Sequence, residues 1–131
     1  MAVQVIADLY GCDGIINDVT VIKNAAHTAI EYVGASIVEE CIHEFEPIGI
    51  TYFAVISTSH FSIHTWPEYG YASVDLYTCG DTVNPWDGFD YLEDVLRAER
   101  SESTEIARGM VEKIRRFSNV EDEIIVHKPM A

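Results

Sequence analysis

Between Ser57 and Gly80 the chain reads STSHFSIHTWPEYGYASVDLYTCG, a stretch that gathers a hydroxyl (Ser59), two imidazoles (His60, His64), two carboxylates (Glu68, Asp75) and a thiol (Cys79). Such a set could coordinate a metal, form a hydrolytic triad, or work as separate nucleophiles and proton carriers. The H-x-x-x-H spacing of His60 and His64 would align two ligands on a helix, but Phe61, Ile63, Thr65 and Trp66 around them read as extended chain. Four residues along a strand span about 13 Å, too far for two ligands of one small ion, so no metal is expected. No G-x-S-x-G elbow surrounds Ser59, which argues against a hydrolase triad. Taken singly, these residues are ordinary packed side chains: Cys79 a strand-end thiol, Glu68 a turn carboxylate beside Pro67, Phe45 part of a core.

The elements that would carry them are legible from periodicity. Ala2–Tyr10 (AVQVIADLY) reads as a strand, broken by Gly11-Cys12-Asp13-Gly14. From Asp18 to Val33 the apolar residues Val19, Ile22, Ala25, Ala26, Ile30 and Val33 recur at helical spacing, and Gly34 supplies the stop. Ala35–Phe45 and Ile50–Ile56 read as strands around a Glu46–Gly49 turn, and Phe61–Trp66 and Tyr71–Thr78 as two more around Pro67–Gly70. Asn84-Pro85 has the form of a helix start, with the helix running to about Ala98. Beyond Arg100 the pattern allows a last strand over Thr104–Val111 or a third helix reaching Arg116, and a loosely held tail is expected from Asn119. Strand, helix, several strands, helix is the order of an α+β two-layer sandwich, with helices on one face of a mainly antiparallel sheet.

The 131 residues suit one domain, and 48% hydrophobic content is enough for a core. No apolar run approaches the roughly 18–20 residues that span a bilayer, and the N-terminus lacks the look of a signal peptide, so a cytoplasmic protein is expected. Cys12, Cys41 and Cys79 are odd in number and widely spaced, which fits reduced thiols. With 22 acidic against 8 basic residues and a net charge of −14, nucleic acid and anionic membranes are poor partners.

The run S-H-x-S-I-H-T-W-P-E-Y-G-Y-A-x-V-D-x-Y-T-C-G resembles the signature of the prokaryotic S-adenosylmethionine decarboxylases. A-D-L-Y-G-C-D, H-E-F-E-P-I-G and N-P-W-D-G-F extend the resemblance over most of the chain, leaving out the part beyond about Arg108. It implies a proenzyme that cuts itself at Thr58–Ser59 into a β chain of residues 1–58 and an α chain of residues 59–131. Ser59 would become a pyruvoyl group, the cofactor, whose carbonyl forms a Schiff base with the substrate and takes the electrons released with carbon dioxide. The product supplies aminopropyl groups for spermidine.

Carried over residue by residue, the resemblance makes His64 the proton carrier of self-processing and Cys79 the acid that reprotonates the substrate carbon. Thr51 falls where the family commonly has a serine assisting cleavage. Phe45 matches the aromatic that stacks on adenine and Glu68 the carboxylate that holds the ribose hydroxyls, with Trp66 walling the pocket. A homodimer that joins two sheets into a larger sandwich, with its sites at the interface, is the family's assembly. Two positions depart from the pattern: Thr58 stands where the family usually has glutamate, and Glu44 where it often has a basic residue. A carboxylate near the pocket would suit arginine or ornithine, the substrates of relatives with this fold. An uncleaved chain would instead suit a regulatory partner of an active decarboxylase.

Overall fold

A computed structural model describes residues 2–79 and 84–118. Six strands form one sheet: β1 (Ala2–Tyr10), β2 (Ile37–Glu44), β3 (Ile50–Ile56), β4 (Ser59–Trp66), β5 (Tyr71–Cys79) and β6 (Arg100–Arg108), in the order β2-β3-β4-β5-β1-β6. Every neighbouring pair is antiparallel. Helices α1 (Val19–Val33) and α2 (Pro85–Val95) cover one face; a third, α3 (Val111–Ser118), follows β6.

Both covering helices begin where their sequence dictates and α1 ends there too, while α2 stops at Val95, short of the expected Ala98. The Asp18 carboxylate accepts from the Thr20 and Val21 amides at the start of α1, and Gly34 ends it at φ 91°, a conformation costly for residues with a Cβ. Asn84 caps α2 through the Trp86 amide, with Pro85 at the first helical position. The buried side of α1 (Ile22, Ala25, Ala26, Ala29, Ile30, Val33) faces alternate sheet residues such as Val5, Leu9, Tyr52, Phe61, Ile63 and Leu76. Tyr52 threads this core outward: its hydroxyl donates to Glu40 at 2.5 Å, and the His27 ring meets the same carboxylate at 2.6 Å, clamping α1 to β2.

The opposite face of the sheet carries no helix. By register it presents Gln4, Ile6, Asp8 and Tyr10 of β1 beside Tyr77, Asp75 and Ser73 of β5, and His60, Ser62, His64 and Trp66 of β4 beside Phe53 and Thr51 of β3. Apolar groups lie bare on it, among them Phe53, Val55, Trp66, Ile6 and Ile106, each about two-fifths exposed.

The sequence expectation of an α+β two-layer sandwich is met, with boundary corrections. β4 begins at Ser59 rather than Phe61, because the turn before it has only two residues, Ser57 and Thr58, between the paired Ile56 and Ser59. The segment after Arg100 forms both a strand and a helix, with Gly109 at φ 63° near the join. The expected tail from Asn119 lies outside the described residues. No helix among the described residues is long and apolar enough to cross a membrane.

Where α1 and α2 touch, a Cβ built on Gly88 would lie 2.7 Å from Val33 Cγ2 and 3.0 Å from the Ala29 carbonyl oxygen. Gly88→Ala should therefore lower unfolding stability by about 1–3 kcal/mol, overriding the roughly 1 kcal/mol gain in helix propensity. Urea denaturation measures it; an unchanged or higher midpoint would mean the helices separate freely.

Candidate active site

The candidate site begins at the two-residue turn between β3 and β4. It is pinned from outside, since the Ser57 amide donates to Ser36 O at 2.8 Å and the Ser36 amide to Ser57 Oγ at 3.0 Å. Ser59 leaves the turn at φ 152°, a region that residues with a side chain rarely occupy and that stores about 1–3 kcal/mol. The carbonyl just before it, Thr58 C=O, receives two donors from one residue. The Cys79 amide approaches Thr58 O at 3.2 Å and the Cys79 thiol at 3.4 Å. Two donors on one carbonyl oxygen polarise the carbon and are placed to hold a negative charge on that oxygen. Thr78, immediately before Cys79, is the register partner of Ser59.

A second set lies at the other end of the same strands. Thr51 and His64 are paired across β3 and β4, and Thr51 Oγ1 shares a hydrogen bond with His64 Nδ1 at 2.9 Å. Trp66 continues the row, its ring centroid 6.3 Å from His64 and 5.2 Å from Tyr71. Tyr71 stacks on Tyr10 and donates to Asp8 at 2.5 Å; burial first, then that carboxylate, pushes its hydroxyl up to about 12. Phe45, half exposed, sits edge-on to His43 at 4.4 Å, and its amide closes the β2–β3 turn on Gly49 O. Glu68 is exposed in the short turn Pro67–Tyr69.

The structure thus brings Thr58, Ser59 and Cys79 together, and Thr51, His64 and Trp66 together, but it does not join the two groups. Ser59 and His64 are five residues apart on one strand, about 16 Å. His60 shares the open face with His64 but is held between Phe53 (5.4 Å) and Tyr77 (5.6 Å). Glu44 pairs with Ile50, a helix-side residue, so its register places it on the face away from His43, Thr51 and Trp66. Tyr71 and Asp8 were not singled out from sequence; alternation along β5 could have put Tyr71 on the face of Cys79, whereas its partner on β1 follows only from long-range register.

The sequence profile of the S-adenosylmethionine decarboxylase family matches residues 3–109. The S-adenosylmethionine decarboxylase proenzyme of Caldanaerobacter subterraneus subsp. tengcongensis is 47% identical over 117 residues, which are 88% of this chain and 94% of the relative. That of Moorella thermoacetica is 47% identical over 110 residues, 83% of this chain and 88% of the relative. Among solved structures, the adenosylmethionine decarboxylase of Aquifex aeolicus superposes with a TM-score of 0.79 at 36% identity, covering 86% of this chain and 94% of that one. The Trypanosoma brucei AdoMetDC-delta26 monomer, at 20% identity and TM-score 0.53, shares the fold over 77% of this chain and 44% of its own.

The backbone at Ser59 gives a test of its own. Ser59→Gly and Ser59→Ala both remove the hydroxyl, but only glycine relaxes φ 152°. The glycine variant should be the more stable by about 1 kcal/mol, after its own unfolded-state entropy is counted. Equal midpoints in urea would show that the turn is unstrained.

Proposed function

The chain belongs to the S-adenosylmethionine decarboxylase family, and on that premise we propose that it cuts its own backbone between Thr58 and Ser59 and then decarboxylates S-adenosylmethionine, supplying aminopropyl groups for spermidine and related polyamines. The observation that carries the cleavage is the Thr58 carbonyl, held by the Cys79 amide and thiol beside a strained serine. Ser59 Oγ adds to the Thr58 carbonyl carbon, and the charge that develops on Thr58 O falls where Cys79 donates. Collapse breaks the C–N bond and leaves Thr58 esterified to Ser59 Oγ. The strained φ at Ser59 favours that step, because cutting the peptide releases the constraint. Loss of the Ser59 α-proton, with Thr58 departing as a carboxylate, opens the chain. An imidazole is the suited carrier of that proton at neutral pH, and His64, oriented by Thr51, is the candidate.

The pyruvoyl group that would form at position 59 supplies an electron sink for decarboxylation. The chain's own residues do the rest. The Cys79 thiol is close enough to the cleavage point to return a proton to the substrate carbon. Trp66 and Phe45 offer flat rings for adenine, and Glu68 a carboxylate for ribose hydroxyls. Glu44 lies on the other face, so it lends no charge for holding arginine or ornithine.

Because one chain holds the two groups about 16 Å apart, a complete site needs a second copy. The helix-free face, with its bare Phe53, Val55, Trp66, Ile6 and Ile106, is the surface for it. A two-fold axis between stacked sheets would bring Ser59 and Cys79 of one chain to Thr51, His64 and Trp66 of the other, giving two equal sites per homodimer.

Complementation tests this. His64→Ala and Cys79→Ala should each lose about a hundredfold or more of carbon dioxide release from S-adenosylmethionine. Co-expressed, they should regain roughly a quarter of wild-type activity, since half the dimers are mixed and each mixed dimer has one intact site. Only the His64→Ala chain should then be cut. If mixing restores nothing while the wild type is cut and active, the two groups do not act across an interface.

A further inference from the structure

Among the described residues, two buried side-chain polar atoms have no hydrogen-bond partner, Thr58 Oγ1 and Thr78 Oγ1. Thr78 is fully buried and Thr58 is about nine-tenths buried. They flank a single residue: Thr58 precedes Ser59 in the chain and Thr78 faces it across β4 and β5. Buried hydroxyls are nearly always paired, because an unpaired one costs about 1–3 kcal/mol. Two such costs beside the same residue, with every other fully enclosed side-chain N or O among the described residues paired, mark a polar site next to Ser59.

Each hydroxyl is both donor and acceptor and has no partner, which suits a small neutral molecule with the same capacity, water. The other donors near Ser59, the Cys79 amide and thiol, are already committed to Thr58 O. Cross-strand partners hold their Cβ atoms about 4.5–5.5 Å apart, so a water on Thr78 lies within reach of the Ser59 α-carbon.

We infer that Thr58 and Thr78 bind the water that hydrolyses the cleaved residue 59 to its keto form. The inference rests on the cleavage proposed above. Elimination leaves residue 59 as dehydroalanine, CH2=C(NH2)–C(=O)–, which tautomerises to the imine CH3–C(=NH)–C(=O)–. Water oxygen adds to the imine carbon, its protons pass to the nitrogen, the C–N bond breaks and ammonia leaves, with no change of oxidation state. The two hydroxyls place the water at that carbon while the strands still exclude bulk solvent.

Thr78→Val keeps the shape and removes the hydroxyl. The intact mass of the α chain and free ammonia, followed after cleavage, separate the nitrogen-bearing end from the keto end whatever the rate of cutting. Conversion should slow roughly tenfold or more in Thr78→Val and in Thr58→Val, and Thr78→Ser should restore it. In a Ser59→Ala background, where nothing is cut, Thr78→Val should lower the melting temperature, because a bound water is lost. A dry orphan hydroxyl predicts the reverse, an unchanged or raised melting temperature, since a valine there removes a buried unpaired group. Wild-type conversion in both valine variants, or that raised melting temperature, would overturn the inference alone. A wild-type chain that is never cut would remove both the proposed cleavage and this inference.

Discussion

A paired β-strand cannot be shortened, and β4 carries Ser59 at one end and His64 towards the other. Its rise of about 3.3 Å per residue separates Ser59 from His64 by about 16 Å, and pairing on both sides, to β3 and β5, leaves no slack. The same pairing brings β5 back so that Cys79 ends beside Ser59, and brings β3 alongside so that Thr51 meets His64. One register thus assembles two half-sites. The proposed need for a second chain follows from this rigidity.

The two faces of the sheet divide the labour. On the helix side, alternate residues of β1, β3, β4 and β5 are apolar and buried, and this packing fixes the register. On the other side the same strands are free to carry His60, His64, Trp66, Tyr71 and Cys79. A slip of one residue would exchange the faces, burying imidazoles and exposing the core, so stability and site geometry are secured by one alternation. The Tyr52–Glu40–His27 contact shows one way the core side admits a hydroxyl: the ring carries it to a carboxylate near the surface.

Much of this was legible in the residues. The apolar spacing after Asp18, the Gly34 stop and the Asn84-Pro85 start located both covering helices, because periodicity and end signals are local. β6 was harder, since RSESTEIAR has almost no buried residue and is a strand only because β1 offers it a backbone partner. The motif from Ser57 to Gly80 pointed to the chemistry but presented Ser59, His64 and Cys79 as one site. The rise along β4 separates His64 from Ser59, but spacing along a chain does not reveal which neighbours a strand will take, and the β4–β5 register is what sets Cys79 beside Ser59 rather than His64. Glu44 shows the same limit: it stands next to Phe45 in sequence and on the opposite face from His43 in the sheet.

Thr58 joins the departures of the sequence to the physics of the turn. At this position the family resemblance leads one to expect a glutamate, yet the side chain here is enclosed, and an unpaired carboxylate in such a place would carry a large desolvation cost. A β-branched hydroxyl avoids that charge and restricts the turn, while leaving the backbone carbonyl free for the two Cys79 donors. In the proposed cleavage the reacting groups are that carbonyl and the Ser59 hydroxyl, which leaves the side chain at 58 outside the bond-breaking step. What remains for it is its place beside Ser59, with Thr78 across the strands, where a neutral hydroxyl serves the proposed water site without the desolvation cost of a charge.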